Sequence, residues 1–243
     1  MKRAVIIVAG GSGTRMGADI PKQFLPLNGV PVLIHTILAF RRVIPDVEVV
    51  LVLPKEHQHL WQRIYDIAVN PSKKEREFLS NICLAEGGQT RFESVKNGLE
   101  KLSHLTTHDL VAVHDGVRPL VSSETINRCF DVAQEAKAVI PVVPMVDSIR
   151  QLSSDRASSI DDQSLITESH SVIRGQYVSV QTPQVFEVSI LRHAYMQDFE
   201  CRFTDDASVV EADGGNVSLV LGNEDNIKLT TRKDLSLAEL LIQ

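Results

Sequence analysis

Basic side chains placed around a glycine-rich turn are the first chemistry legible in this chain. The stretch Ala9-Gly10-Gly11-Ser12-Gly13-Thr14-Arg15-Met16-Gly17 follows the apolar run Ala4-Val5-Ile6-Ile7-Val8 and precedes Pro21-Lys22-Gln23. Glycine has no side chain to hold backbone N–H groups apart, so such a turn can close around phosphate oxygens. Arg15 and Lys22 set two cations beside it. Together these residues predict polyphosphate binding and chemistry on the bound phosphates. The spacing argues against two alternatives. A dinucleotide fingerprint needs G-x-G-x-x-G, whereas Gly11, Gly13 and Gly17 stand one residue too wide. A Walker A loop needs G-K-[ST], which Gly13-Thr14-Arg15 does not supply.

Positioning these residues falls to alternating strands and helices. The hydrophobic pattern predicts a buried first strand over 4–8, a helix over Val32–Phe40, a strand over Val47–Leu53 and a helix over His57–Ala68. A short strand over Ile82–Leu84 leads into Glu86-Gly87-Gly88, and a helix over Thr90–Leu102 carries Val95, Leu99 and Leu102 on one stripe. Leu110–Val113 reads as a strand ending in His114-Asp115. Ser122–Ala136 reads as a helix capped by Ser122 or Ser123, and Ala138–Val143 as a strand. This order predicts an α/β fold with a mostly parallel sheet and helices on both faces. Ligands then bind beyond the carboxyl ends of the strands, which puts Gly10–Gly17, Gly87-Gly88 and His114-Asp115 on one rim. Between about 145 and 180 the pattern breaks into a polar stretch flanked by short extended runs, read as a β-hairpin arm that packs on a second subunit. Thr182-Pro183-Gln184-Val185-Phe186 rejoins the body. A helix from Val188, strands at Val217–Leu221 and Ile227–Leu229, and a helix over Asp234–Leu241 complete the chain.

The 243 residues suit a single domain, 1–243, with a protruding arm. A net charge of −6 argues against a nucleic-acid or membrane-binding surface, so an anionic substrate must be held by local Lys and Arg clusters. Cys83, Cys129 and Cys201 are odd in number and far apart, which argues for free thiols rather than disulfides or zinc. No apolar run reaches membrane-spanning length and no leader is read before the first strand; the expectation is a cytoplasmic protein.

Six segments, taken in order, resemble one family closely. They are Ala9-Gly10-Gly11-Ser12-Gly13-Thr14-Arg15, Pro21-Lys22-Gln23, His114-Asp115-Gly116-Val117-Arg118-Pro119, Thr182-Pro183-Gln184, Thr204-Asp205-Asp206-Ala207-Ser208 and Asp225-Asn226-Ile227-Lys228. The chain resembles the 2-C-methyl-D-erythritol 4-phosphate cytidylyltransferases, and the match runs across nearly its whole length. The resemblance implies a Rossmann-like fold of the nucleotide-diphospho-sugar transferase type, with a β-arm for dimerisation. It implies transfer of a cytidylyl group from CTP to methylerythritol phosphate, with release of pyrophosphate, as a step in non-mevalonate isoprenoid precursor synthesis. Arg15, Lys22 and Lys228 take the catalytic, charge-stabilising role. Ala9, Gly10, Gly11, Gly88, Gln89, Arg91, Ser94 and Asp115 fall in the CTP-binding segments. Gln89 stands where the family usually has an acidic residue. Arg118, Ser148, Arg174, Thr182 and Thr204 match the sugar-phosphate site, which the resemblance builds across two subunits of a homodimer. Ser148 keeps the hydroxyl of the Thr frequent there. Asp115 and Asp225 would lie near a Mg²⁺ on the phosphates or hold Lys22 or Arg15 by ion pairing, and both roles stay open.

A pentitol phosphate such as ribitol 5-phosphate is the alternative acceptor. Relatives of that type carry a Tyr-Gln-Gly stretch before Thr-Pro-Gln, where this chain has Val178-Ser179-Val180-Gln181. A non-catalytic nucleotide-binding module would be expected to have lost Arg15, Lys22 or Lys228, and all are present. His114 is expected as a hydrogen-bonding residue beside Asp115 rather than a base, and His57 and His59 as solvent-facing.

Overall fold

The computed structural model describes residues 1–11, 20–68, 77, 79–153 and 168–242. Strand β1 (Arg3–Val8) is followed by the short strands β2 (Pro26–Leu27) and β3 (Val30–Pro31), then α1 (Val32–Val43), β4 (Glu48–Leu53), α2 (Lys55–Ala68) and β5 (Ile82–Glu86). Next come α3 (Arg91–Lys101), β6 (Leu110–Asp115), α4 (Ser123–Ala136) and β7 (Ala138–Pro144). A hairpin of β8 (Arg150–Leu152) and β9 (Ser169–Ser171) precedes β10 (Val178–Val180), β11 (Gln184–Glu187), α5 (Val188–Ala194), α6 (Asp206–Ala212), β12 (Ser218–Leu221) and α7 (Arg232–Leu241).

The central sheet runs β10-β7-β11-β6-β1-β4-β5, and β12 also pairs with β7. The expected parallel core is present: β1 pairs in parallel with β4 and β6, and β4 with β5. Period-two alternation decides what each face buries. Val5 and Ile7 pack on one face with α1, α2 and α4. Ala4 and Ile6 pack on the other with α3, α5 and α6. Both faces are therefore covered by helices, as the near-continuous apolar strands require.

Two sequence expectations change. The segment after Thr182-Pro183 does more than rejoin the body: β11 inserts antiparallel between β6 and β7. It is only four residues long and bounded by Gln184 and Glu187, too short and polar to announce itself as a central strand. Residues 227–229 form no strand. Ile227 N–H donates locally to the Asp225 carbonyl at 2.7 Å and Leu229 N–H to the Val117 carbonyl at 2.9 Å, and neither bond joins a strand ladder. Burial fixes this segment instead, since Leu229 packs with Leu27, Val32, Val117 and Ala238 of α7 in a small third cluster. Within the segment expected to form the arm, β8 and β9 pair antiparallel as a separate two-stranded sheet.

From β1 the chain builds outward through β4 to β5, then returns to β6 on the opposite side of β1. The loops leaving β1 and β6 therefore part in opposite directions, the place where open α/β sheets form a crevice. The two loops touch at their roots. Gly116 N–H donates to the Val8 carbonyl at 2.8 Å, and a Cβ on Gly116 would lie 2.8 Å from that of Ala9.

Close helix–sheet packing on the other side also rests on a glycine. A Cβ at Gly98 of α3 would stand 2.7 Å from Ile6 Cγ2 and 3.1 Å from Val52 Cγ2. We expect Gly98→Val to lower unfolding stability by about 1–3 kcal/mol through overpacking, measured by urea titration. An unchanged midpoint would mean that α3 moves off the sheet freely.

Candidate active site

Three strand ends supply the walls of one cleft of about 280 Å³. Ala9, Gly10 and Gly11 follow β1, Gly87, Gly88 and Gln89 follow β5, and Asp115 ends β6; Lys22, Gln23, Arg91, Ser94 and Lys228 complete the ring. Of the single rim expected from the strand alternation, Gly10-Gly11, Gly87-Gly88 and Asp115 come together. Arg15 lies outside the described residues, as do Ser12–Asp19 as a whole.

Each wall has a local cause. Gln23 is fully buried and its Nε2 donates to the Ala9 carbonyl at 2.7 Å, which ties the Pro21-Lys22-Gln23 turn under the β1 loop. A Cβ on Gly11 would sit 3.3 Å from Lys22 Cε and 3.8 Å from Nζ, so the glycine leaves room for the lysine over the loop. Opposite, a capping box starts α3: Thr90 Oγ1 accepts from Glu93 N–H at 3.1 Å, and Glu93 Oε2 accepts from Thr90 N–H at 3.0 Å. Gly88 N–H donates to Ser94 Oγ at 3.1 Å, and Ser94 Oγ donates to the Thr90 carbonyl at 2.9 Å. The Ser94 hydroxyl has thus given its proton away and can only accept a further bond. A Cβ at Gly88 would overlap Glu93 Cβ at 2.2 Å, so this loop tolerates no side chain there.

Asp115 is the electrostatic centre. Its Oδ2 lies 3.0 Å from Lys228 Nζ and 3.2 Å from Arg118 Nε, and its Oδ1 is 4.0 Å from Arg91 Nε. Burial would raise this carboxyl, but the Lys228, Arg91 and Arg118 charges outweigh it and hold it well below the usual carboxylate range. Among the described residues its ion-pair partners are Lys228, Arg118 and Arg91. Arg118 also donates through Nη1 to the Asn226 carbonyl at 2.6 Å, so it serves the framework as well as the cleft.

His114 is fully buried, with its ring edge-on to Phe40 at 4.9 Å between centroids. Its Nε2 is 3.1 Å from the Arg118 carbonyl and must donate to it. Its Nδ1 therefore accepts from Thr182 Oγ1 at 2.9 Å, and Thr182 Oγ1 in turn accepts from Asp115 N–H at 3.1 Å. The expectation of a structural histidine holds. His57 differs from expectation: it is half-buried, edge-on to Phe24, with Nδ1 buried and without a hydrogen-bond partner; His59 is exposed.

A second cavity of about 290 Å³ adjoins the first and shares Arg91, Asp115 and Lys228 with it. Arg118, Thr182 and Thr204 line it, together with Gln181, Gln184 and Asp205. Ser148 and Arg174 are not brought there: Ser148 is exposed beyond β7, and Arg174 is exposed on the arm, donating to the Val146 carbonyl. Asp225 is exposed in a turn outside both linings. Among the described residues no group of three or more His, Cys, Asp or Glu is placed to hold a metal. Residues that sequence reasoning left without a role are Gln23, Gln184, Asn226 and Asp206. All four stand inside the quoted motifs, so adjacency to Lys22, Thr182, Lys228 and Thr204 was the available signal.

Known proteins share this arrangement of chain. The family model described as 2-C-methyl-D-erythritol 4-phosphate cytidylyltransferase matches residues 3–243. A protein of that name from Bacteroides thetaiotaomicron is 48% identical over 242 residues, covering 100% of both chains. One from Porphyromonas gingivalis is 48% identical over 246 residues, covering 99% of this chain and 98% of its own. The crystal structure of the Thermus thermophilus protein of the same name is 32% identical, with a TM-score of 0.71, covering 99% of this chain and 98% of the other.

Burial pushes the His114 imidazole down to about 4, from an ordinary value of 6.5. Between those two values the unfolded chain binds a proton at this position that the folded chain refuses. Stability from a neutral His114 is therefore complete above about pH 6.5 and lost as pH falls toward about 4. We expect His114→Gln to flatten the pH dependence of unfolding in that window by up to ~1.4 kcal/mol per pH unit, read by denaturant titration. Equal slopes in both proteins would contradict the buried neutral ring.

Proposed function

We propose, for a chain that belongs to the 2-C-methyl-D-erythritol 4-phosphate cytidylyltransferase family, that the two adjoining cavities carry out cytidylyl transfer from CTP to 2-C-methyl-D-erythritol 4-phosphate. The observation that carries this reading is the wall the cavities share. Arg91, Asp115 and Lys228 face both, so two phosphate groups can meet across one cluster of cations.

The cleft between Gly10, Gly88 and Ser94 takes the nucleotide base. Ser94 Oγ, with its own proton donated to Thr90, suits the exocyclic amine of cytosine as an acceptor. Lys22 over Gly11 and Lys228 beside Asp115 meet the triphosphate, and Arg15 is assigned with them from its place in the same motif. An oxygen of the sugar phosphate attacks the α-phosphorus. The new P–O bond forms as the bond to the β-phosphate breaks, and pyrophosphate leaves with the electron pair. Negative charge crowds this passage, so the side chains act by positioning and by fixed positive charge rather than by covalent attack. His114, neutral and bonded on both nitrogens, holds Thr182 and the Asp115 backbone in place.

A magnesium ion fits this donor set in one form. Asp115 is the single carboxylate lining the nucleotide cleft among the described residues, and it is already paired with cations. A protein cage is thus not what the cleft offers, and magnesium keeps waters and phosphate ligands readily. Asp115 would meet a metal carried on the nucleotide, which supplies charge neutralisation at the phosphates. Asp225, exposed and outside the lining, is set aside as a ligand.

A second copy of the chain is the partner we assign to the arm. Val180, Val142 and Leu221 lie in one row across β10, β7 and β12, with Leu219 opposite Ile140 and Val178 opposite Pro144 on the same face. Leu219 and Leu221 are 55% and 60% exposed, and Val146 and Ile173 of the arm are 78% and 69% exposed. Such contiguous apolar surface suits burial against another subunit. The partner's arm would then bring Arg174 to the acceptor cavity, where an Arg fork suits a phosphate. The free thiols of Cys83, Cys129 and Cys201 suit the reducing cytoplasm we assign to the enzyme. No helix among the described residues is long and apolar enough to cross a membrane.

Pyrophosphate release with CTP and Mg²⁺ tests the reaction. We expect release with methylerythritol 4-phosphate and little with ribitol 5-phosphate; the reverse preference would overturn the acceptor, and release with neither would overturn catalysis. The shared site has its own test. We expect Arg174→Ala and Lys22→Ala each to be strongly impaired, and their 1:1 mixture after subunit exchange to recover roughly a quarter of wild-type activity, because about half of the dimers are heterodimers and one of two sites in each is intact. No recovery after exchange of subunits would place Arg174 in its own chain's site or outside any site.

A further inference from the structure

Arg91 stands between two carboxylates that hold it unequally. Its Nη2 donates to Asp206 Oδ2 at 2.6 Å, while its Nε remains 4.0 Å from Asp115 Oδ1. Asp206 is the first residue of α6 and is fully buried. Its other oxygen, Oδ1, accepts from Tyr195 OH at 2.7 Å. Both oxygens are occupied, so the carboxylate is oriented from behind by the phenol and from the front by the guanidinium. The Tyr195 ring stacks on Phe92, the neighbour of Arg91, at 4.6 Å between centroids and 19° between planes. Phe203 stacks on the same Phe92 at 5.7 Å. The first turn of α3, the end of α5 and the start of α6 are thereby joined at the back of the cleft.

Asp115 has one oxygen already committed, and its other, Oδ1, stands 4.0 Å from Arg91 Nε. Its Oδ2 already serves Lys228 and Arg118. If the charge of Asp206 were absent, the nearest carboxylate left to Arg91 would be Asp115, and a guanidinium drawn there would compete with Lys228. It would also narrow the wall that the two cavities share. We propose that Asp206 is a positioning residue: it holds Arg91 back from Asp115, which leaves Asp115 to Lys228 and keeps the passage between nucleotide and acceptor cavities open. Asp206 lines neither cavity and acts through Arg91. The proposal rests on the cytidylyl-transfer reading for its kinetic consequence, while its effect on nucleotide binding stands apart from catalysis.

The test compares Asp206→Asn, Asp206→Glu and Tyr195→Phe with wild type in Mg²⁺·CTP binding by calorimetry, pyrophosphate release and thermal melting. Asp206→Asn keeps the shape and removes the charge. We expect it to weaken Mg²⁺·CTP binding and lower kcat/KM by about tenfold or more, with part of both restored by Asp206→Glu. Tyr195→Phe keeps the ring stack and frees one carboxylate oxygen; an effect of about threefold with a nearly unchanged melting temperature is expected. Folded Asp206→Asn with binding and kcat/KM within about twofold of wild type would overturn the proposal. Where Asp206→Asn does not fold, Tyr195→Phe decides: wild-type binding and turnover would overturn it. Wild-type protein that binds Mg²⁺·CTP but releases no pyrophosphate with either acceptor would instead defeat the catalytic reading, and the binding comparison would still judge Asp206.

Discussion

One buried carboxylate organises this molecule. Asp115 ends β6 inside the protein, where an isolated charge is costly and a paired one is tolerated. Its cations come from three separate places: Arg91 from the first turn of α3, Arg118 from the loop after β6, and Lys228 from the segment before α7. None of these elements neighbours the others in sequence, so their convergence requires the sheet, both helical layers and the C-terminal helix to be complete. A buried ion cluster of this sort is weak evidence for stability. Its effect is specificity, because each cation that fails to arrive leaves a charge unpaired.

The same cluster reconciles an acidic chain with an anionic substrate. The net charge is −6, yet Lys22, Arg91 and Lys228 line the nucleotide cleft against Asp115 alone among its described acidic residues. Cations packed this closely repel one another unless carboxylates stand among them. Asp115 and Asp206 fill that place for Arg91 and Lys228, and they fix the direction of both before any ligand arrives. Preorganised charge of this kind needs no reorganisation when negative charge develops at the phosphates. The neutral histidine beneath it belongs to the same design. A protonated His114 would add a further cation under Arg118 and Lys228, and burial prevents this.

How far the sequence discloses all this depends on the interaction concerned. The near-continuous apolar runs Ala4–Val8 and Val47–Leu53 announce buried strands because hydrophobic pattern and backbone geometry are local properties. The glycine turn, Lys22, Asp115 and Lys228 are legible for a different reason: their residue types are costly to place and stand in ordered motifs. What escapes is long-range. That Gln184–Glu187 fills a slot between β6 and β7 depends on the spacing of two strands far away in sequence. The Ile227–Leu229 run has a strand's composition, but Ile227 and Leu229 face the α7 cluster and pair with no strand among the described residues. His57 reads as polar and exposed until Phe24 is seen beside it. Asp206 appears as one acid of an Asp-Asp pair, and only the fold separates its fate from that of Asp205, which caps α6 and bonds Gln184 Nε2 at 2.8 Å.

The acceptor cavity follows a different logic from the nucleotide cleft. The cleft is enclosed by loops that one chain folds around itself, each held by capping or burial. The acceptor cavity opens past Val180 and Gln181, where β10 leaves the sheet's centre and the apolar face of β7, β10 and β12 begins. On the proposed reading one chain offers Arg118 to a phosphate on that side, and Arg118 is already bonded to Asp115 and to the Asn226 carbonyl. Arg174, by contrast, sits exposed on the arm beside exposed Ile173. An apolar face without cover and an arginine without a phosphate are complementary needs. On the proposed dimer, one association meets both, so that sugar-phosphate recognition depends on assembly while CTP binding does not.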